Sequence, residues 1–96
     1  MLRMSAHLTP LEVLDRLFGG LEEVSRIAGY HPKNAYKWRH PSKTRAAGDL
    51  PSASLMRALL VEARARGIPL EHRHLIDGAD AAEIDALTRA PTGVAA

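Results

Sequence analysis

"LEEVSRIAGYHPKNAYKW", residues 21–38, sets two short helical runs around a glycine, and its second run carries cations and no acid. In the first run Leu21, Val24, Ile27 and Ala28 recur at helical spacing, while Glu22 and Glu23 occupy the first turn, where the helix dipole favours anions. Gly29 ends that helix, because glycine takes the left-handed backbone of a C-cap at no steric cost. Pro32 opens a third helix over residues 32–39, in which Ala35 and Trp38 are spaced i, i+3 to face inward, and Pro41 closes it. Val24, Ala28, Tyr30, Ala35 and Trp38 are expected to point into a core. Ser25 must be small because the third helix crosses close to it.

Upstream, "TPLEVLDRLFGG" places Thr9 as an N-cap, Pro10 at the first helical position and Glu12 three residues after Thr9, the pattern of a capping box. Leu11, Leu14, Leu17 and Phe18 share one face of this first helix, residues 10–18, and Gly19 and Gly20 supply the stop and the turn. Downstream, "PSKTRAAGDLP" reads as a basic loop without hydrophobic period. Ser52 then caps a long helix on which Leu55, Met56, Leu59, Leu60 and Ala63 form one stripe, with Arg64 and Arg66 in the last turn before Gly67. "IPLEHRHLI" adds a short helical turn in which Leu70, Leu75 and Ile76 are expected to cover the core, "DAAEIDALTRA" a further acidic helix, and the tail from Pro91 is expected to fray. No segment alternates convincingly as a strand. The expected fold is all-α, a compact bundle of about five short helices, with an N-terminal extension over 1–8, the main domain over 9–78, and an acidic helix and tail over 79–96.

Composition narrows the function classes. The chain has 96 residues, enough for one small core and too few for a deep substrate cleft. It contains no cysteine, which suits a reducing cytosol and leaves no thiolate metal site. No apolar run approaches transmembrane length, and the start lacks the apolar stretch of a signal peptide, so a cytoplasmic protein with no membrane partner is expected. The net charge is only +2, but it is unevenly placed. Arg26, Lys33, Lys37, Arg39, Lys43 and Arg45 fall between residues 24 and 48 with no acid among them, whereas Glu71, Asp77, Asp80, Glu83 and Asp85 outweigh Arg73 and Arg89 after residue 70. The basic end should face a polyanion.

Two short helices joined by a glycine turn, the second of them basic, form the arrangement of a helix-turn-helix, whose second helix enters the DNA major groove. On "LEEVSRIAGYHPKNAYKW" the chain resembles the Cro/CI-type helix-turn-helix family of phage and prophage repressors and related small bacterial regulators, some antitoxins among them. It also looks like a subgroup in which "GG" precedes the motif and "GDLPS" leads into a long helix ending "ARARGIPL". The likeness covers roughly residues 10–76, a span typical of one small domain. It departs from the family pattern at Ser25, where Ala is usual, at Ala35, where a β-branched aliphatic is usual, and at His31, where a Ser or Thr cap is common.

The resemblance implies a lambda-repressor-like DNA-binding domain and, with the helical phase, nominates Lys33, Asn34, Tyr36 and Lys37 for base contact. Lys33 or Lys37 would donate to guanine O6 and N7. Asn34 either pairs with adenine N6 and N7 or completes the first helical turn, and Tyr36 either packs on sugar or a thymine methyl or lies on the surface. His31, Arg39, His40, Lys43 and Arg45 are candidates for phosphate contact: His31 because it caps weakly, the others because a flexible cationic segment can follow the backbone. Trp38 is read as core rather than as a base-stacking residue. In "HRH" the side chains of His72 and His74 diverge by about 200° on a helix, so no metal site is expected. No phosphate-cradling glycine loop or nucleophile motif is present, and neither enzymatic activity nor a cofactor is expected. The leading function is a sequence-specific double-stranded DNA-binding regulator, nucleoid-associated and acting as a homodimer, since one recognition helix reads too few base pairs alone. The alternative is a protein-interaction module, such as an antitoxin or adaptor, that holds a partner through the helices after residue 51.

Overall fold

Thr9 starts the first helix through its own hydroxyl. In the computed structural model, which describes residues 6–89, α1 spans Pro10–Phe18. The Thr9 hydroxyl accepts from the Glu12 amide at 3.2 Å and the Glu12 carboxylate accepts from the Thr9 amide at 2.8 Å, so two amides that a helix start leaves orphaned are satisfied. Gly19 ends α1 in the left-handed region, and Gly20 leads into α2, Leu21–Ile27. The long helix α3, Ala53–Arg66, begins where Ser52 accepts from the Leu55 amide and stops at left-handed Gly67. After it come α4, His72–Ile76, and α5, Ala81–Arg89.

The third helix differs from expectation in extent and in type. It is a 3-10 helix over Asn34–Arg39 rather than an α-helix over 32–39. Pro32 has no N–H to give. The Asn34 amide bonds back three residues to His31 at 2.9 Å, and the Tyr36 amide to Lys33 at 3.2 Å. The Ala35 amide is drawn off the helix altogether, to the Ser25 hydroxyl at 2.8 Å. With that bond diverted, the i→i+3 spacing of the tighter helix is what remains.

The fold is mostly helical, as expected, with one small addition. β1, His7–Leu8, pairs antiparallel with β2, Ala79–Asp80, in the register His7 with Asp80 and Leu8 with Ala79. His7 Nε2–H also donates to the Asp77 carbonyl at 2.8 Å. Gly78 permits this close approach: a Cβ there would lie 1.9 Å from the Leu8 carbonyl oxygen. Two residues per strand are too few for alternation to register in sequence. The fold is therefore five α-helices, one 3-10 helix and a small two-stranded ladder among the described residues, and the ladder ties the segment before residue 9 to the segment after residue 78. The expected fraying from Pro91 lies outside the described residues.

Two buried clusters meet across α1. Leu11, Leu14 and Phe18 join Val24, Ala35, Trp38, Leu55, Leu59 and Leu75 in the larger one. Val13 joins Leu8, Ala79 and Ile84 in the smaller. Ala28 is partly buried as an edge of the larger cluster, but Tyr30, expected inside, is 45% exposed and only leans its ring edge on Trp38, centroids 6.0 Å apart at 79°. No helix among the described residues is long and apolar enough to cross a membrane.

The acidic end is held by ion pairs. Arg73 grips the Glu83 carboxylate with two nitrogens, and fully buried His74 reaches the same carboxylate through Nε2 at 3.1 Å. Because His74 Nδ1 accepts from the Glu71 amide at 3.0 Å, its proton sits on Nε2 and is donated to Glu83. Arg73 first, then His74, draw the Glu83 pKa down from 4.5 to about 2. A carboxylate depressed in the folded state stabilises above its unfolded pKa and loses that contribution as pH falls through its folded value. Thermal midpoints should thus fall between pH 4.5 and about 2, and Glu83→Gln should lose less over that interval than the wild type in a series of melts. An identical acid loss in both would show that Glu83 is not responsible.

Candidate nucleic-acid interface

Ser25 fixes the geometry of the basic face. It is fully buried on α2, where its hydroxyl donates to the Leu21 carbonyl at 3.0 Å and accepts from the Ala35 amide at 2.8 Å. This single oxygen joins the two helices on either side of left-handed Gly29, φ 83°. Sequence reasoning asked only that Ser25 be small; the signal it missed is a hydroxyl one turn after Leu21 and next to the buried stripe, placed to bond back to an i−4 carbonyl. Ser25→Ala leaves the Ala35 amide buried without a partner, and should cost about 1–3 kcal/mol in chemical denaturation; a loss of only a few tenths would show that water replaces the hydroxyl.

The 3-10 spacing reorders the candidate side chains. With three residues per turn, positions i and i+3 eclipse. Ala35 and Trp38 form the buried row. Asn34 and Lys37 then share a second row, and Lys33, Tyr36 and Arg39 a third. An α-helix would have set Lys33 beside Lys37 instead. Lys33 and Lys37 are both exposed, and neither makes an ion pair among the described residues. Asn34 is half-buried. Tyr36 is also half-buried and packs on the main core, with the Arg39 guanidinium 5.1 Å from its ring centroid and Arg39 Nε donating to the Tyr36 carbonyl at 3.3 Å. Arg39 remains exposed above that ring.

The phosphate candidates divide in the same way. His31 is exposed, but it is less free than a weak cap implies, since Nδ1 accepts from the Lys33 amide at 3.2 Å and only Nε2 is left to face outward. His40 and Lys43 are exposed. Arg45 is half-buried and turned inward, its guanidinium donating to the His40 carbonyl at 3.2 Å and the Trp38 carbonyl at 3.5 Å. Around it the loop expected to be flexible is a closed turn: the Ser42 amide donates to the Arg45 carbonyl at 2.8 Å, and the Thr44 amide to the Ser42 hydroxyl at 3.4 Å. Lys43 stands at its tip. Gly48 fastens the far end, donating to the Trp38 carbonyl at 2.7 Å and accepting from the Leu11 amide at 3.0 Å.

Acids border this face without crossing it. A cleft of about 420 Å³ is lined by Tyr36 and Arg39 together with Thr9, Glu12, Asp15 and Gly48. Its carboxylates make it a poor phosphate site. At the start of α2, hydrogen bonds from Arg66 and then Arg26 hold the Glu23 pKa below the usual carboxylate range, so Arg26 is occupied by Glu23 at 3.0 Å and does not add a free cation. Among the described residues no group of three potential metal ligands gathers; His72 is exposed while His74 is committed to Glu71 and Glu83. No protein-family model matches the chain, and no curated protein or solved structure matches it significantly.

Proposed function

We propose that this chain is a sequence-specific double-stranded DNA-binding regulator of transcription, with α2 and the 3-10 helix serving as its helix-turn-helix and two copies reading an inverted repeat. The observation that carries the reading is the exposed Lys37 on a 3-10 helix whose back is locked by Ser25, with exposed Lys33 just before its start, in a stretch from 24 to 48 without an acid. Six residues at ~2 Å rise make a ridge roughly 12 Å long. Lys37 and Asn34, in one row, are the base-reading pair. Lys33 leads the neighbouring row, in which Tyr36 supports Arg39 against the sugar-phosphate edge. Lys43, on its closed turn, and the outward nitrogens of His31 and His40 meet phosphates, while Arg45 holds that turn in place. A regulator of this kind acts in the cytoplasm on the nucleoid.

Two substitutions separate reading from holding. Lys37→Ala should cost about 1–3 kcal/mol at a preferred site and relax the preference at one base pair. Lys43→Ala should weaken all duplexes about equally and flatten the dependence of affinity on salt by roughly one unit of slope. Fluorescence anisotropy with preferred and scrambled duplexes over a salt series measures both. Unchanged affinity in both variants removes this face from the account.

A further inference from the structure

We infer that the groove between α3 and α4 seats a second copy of this chain, entered by that copy's Ile76–Asp77 corner. The inference rests on the homodimeric reading above and names the surface that makes the dimer. The groove is about 410 Å³, with Leu60, Ile68 and Leu70 lining it beside Arg64, His72 and the Glu71–Arg73 ion pair. On the two helices that contribute to it, Val61 is 64% exposed and Ile76 is 61% exposed, two large aliphatic side chains left in water.

The placement is self-complementary. In a two-fold contact each copy must offer both the ridge and the groove on one face, so that the pair forms twice across the axis. His72 lines the groove and Ile76 follows it four residues on, on the same side of α4. Ridge and groove therefore lie one helical turn apart, and an axis between them exchanges the two. Charge agrees with this exchange. After residue 70, Glu71 and Glu83 are paired with Arg73, Asp80 with His7 and Asp85 with Arg16; Asp77 alone of these acids has no side-chain ion pair among the described residues. In the groove lining Arg73 is taken by Glu71 and Glu83, and Arg64 has no ion pair among the described residues. An isoleucine entering the groove thus brings an uncommitted carboxylate to an uncommitted guanidinium, twice per dimer.

Sedimentation equilibrium of the full chain without DNA, from micromolar to near-millimolar concentration, tests the inference. The wild type should dimerise reversibly, and Ile76→Glu, whose site is exposed and whose fold can be checked by circular dichroism, should be monomeric throughout. Arg64→Asp and Asp77→Arg should each weaken self-association by about tenfold, and the doubly reversed chain should return to within about threefold of the wild type. A wild type that stays monomeric, an Ile76→Glu variant that dimerises normally, or a double reversal that adds the two losses overturns it. Because no DNA is present, the two proposals fail separately: a dimer that binds no duplex defeats the regulator and keeps the surface, and a monomer that binds its operator defeats the surface and keeps the regulator.

Discussion

Trp38→Ala should lower stability by about 3–5 kcal/mol, a large part of what a domain of this size has. The indole is 4% exposed and lies in the main cluster with Ala35, whose small side chain leaves volume that the ring fills. Its removal opens a cavity at the point where the 3-10 helix is fastened to the loop that follows it, because the Trp38 carbonyl takes the Gly48 amide and one branch of Arg45. Urea denaturation followed by far-UV circular dichroism should show a lower midpoint with little change in slope. A variant of wild-type stability that had lost only its affinity for DNA would place the ring on the duplex instead of in the core.

Gly48→Ala should be comparably damaging, by about 2–5 kcal/mol, for a different reason. The position has φ 83°, and a Cβ there would stand 2.4 Å from Thr9 Cβ and 2.5 Å from Thr9 Oγ1. Left-handed backbone costs an L-residue about 1–2 kcal/mol, and overpacking adds a further 1–3 kcal/mol. Relief by movement is closed off, since Gly48 is bonded to Leu11 on one side and Trp38 on the other, and Thr9 is the residue that caps α1. Gly29→Ala supplies the comparison: its φ is 83° as well, but nothing lies within 4 Å of the added carbon, so only the backbone cost of about 1–2 kcal/mol applies. Equal losses at the two positions, measured by the same denaturation, would mean that the contact with Thr9 relaxes freely.

What the sequence disclosed and what it hid separate by the range of the interactions. The Thr9–Glu12 capping box, the Ser52 cap and the glycine stops at 19 and 67 all act within a few residues, and each stands where local chemistry put it. The inward faces of Leu11, Val24, Ala35 and Trp38 follow from spacing alone. The form of the third helix was hidden because one hydrogen bond across ten residues, from Ala35 to Ser25, changes its pitch and with it which lysine stands over which neighbour. The ladder of His7–Leu8 on Ala79–Asp80 was hidden for the same reason at greater distance. Arg45 looked like any member of a charge run. Only the direction of its guanidinium, toward two backbone carbonyls, distinguishes it from Lys43 two residues earlier.

Selection of bound duplexes from a random pool, performed at low salt with the full chain, meets the central claim head-on. If Asn34 and Lys37 read base edges from a paired scaffold, the retained pool will converge on an inverted repeat with half-sites about one helical turn apart. A pool that retains no duplex, or retains duplexes without any enriched sequence, would contradict the claim.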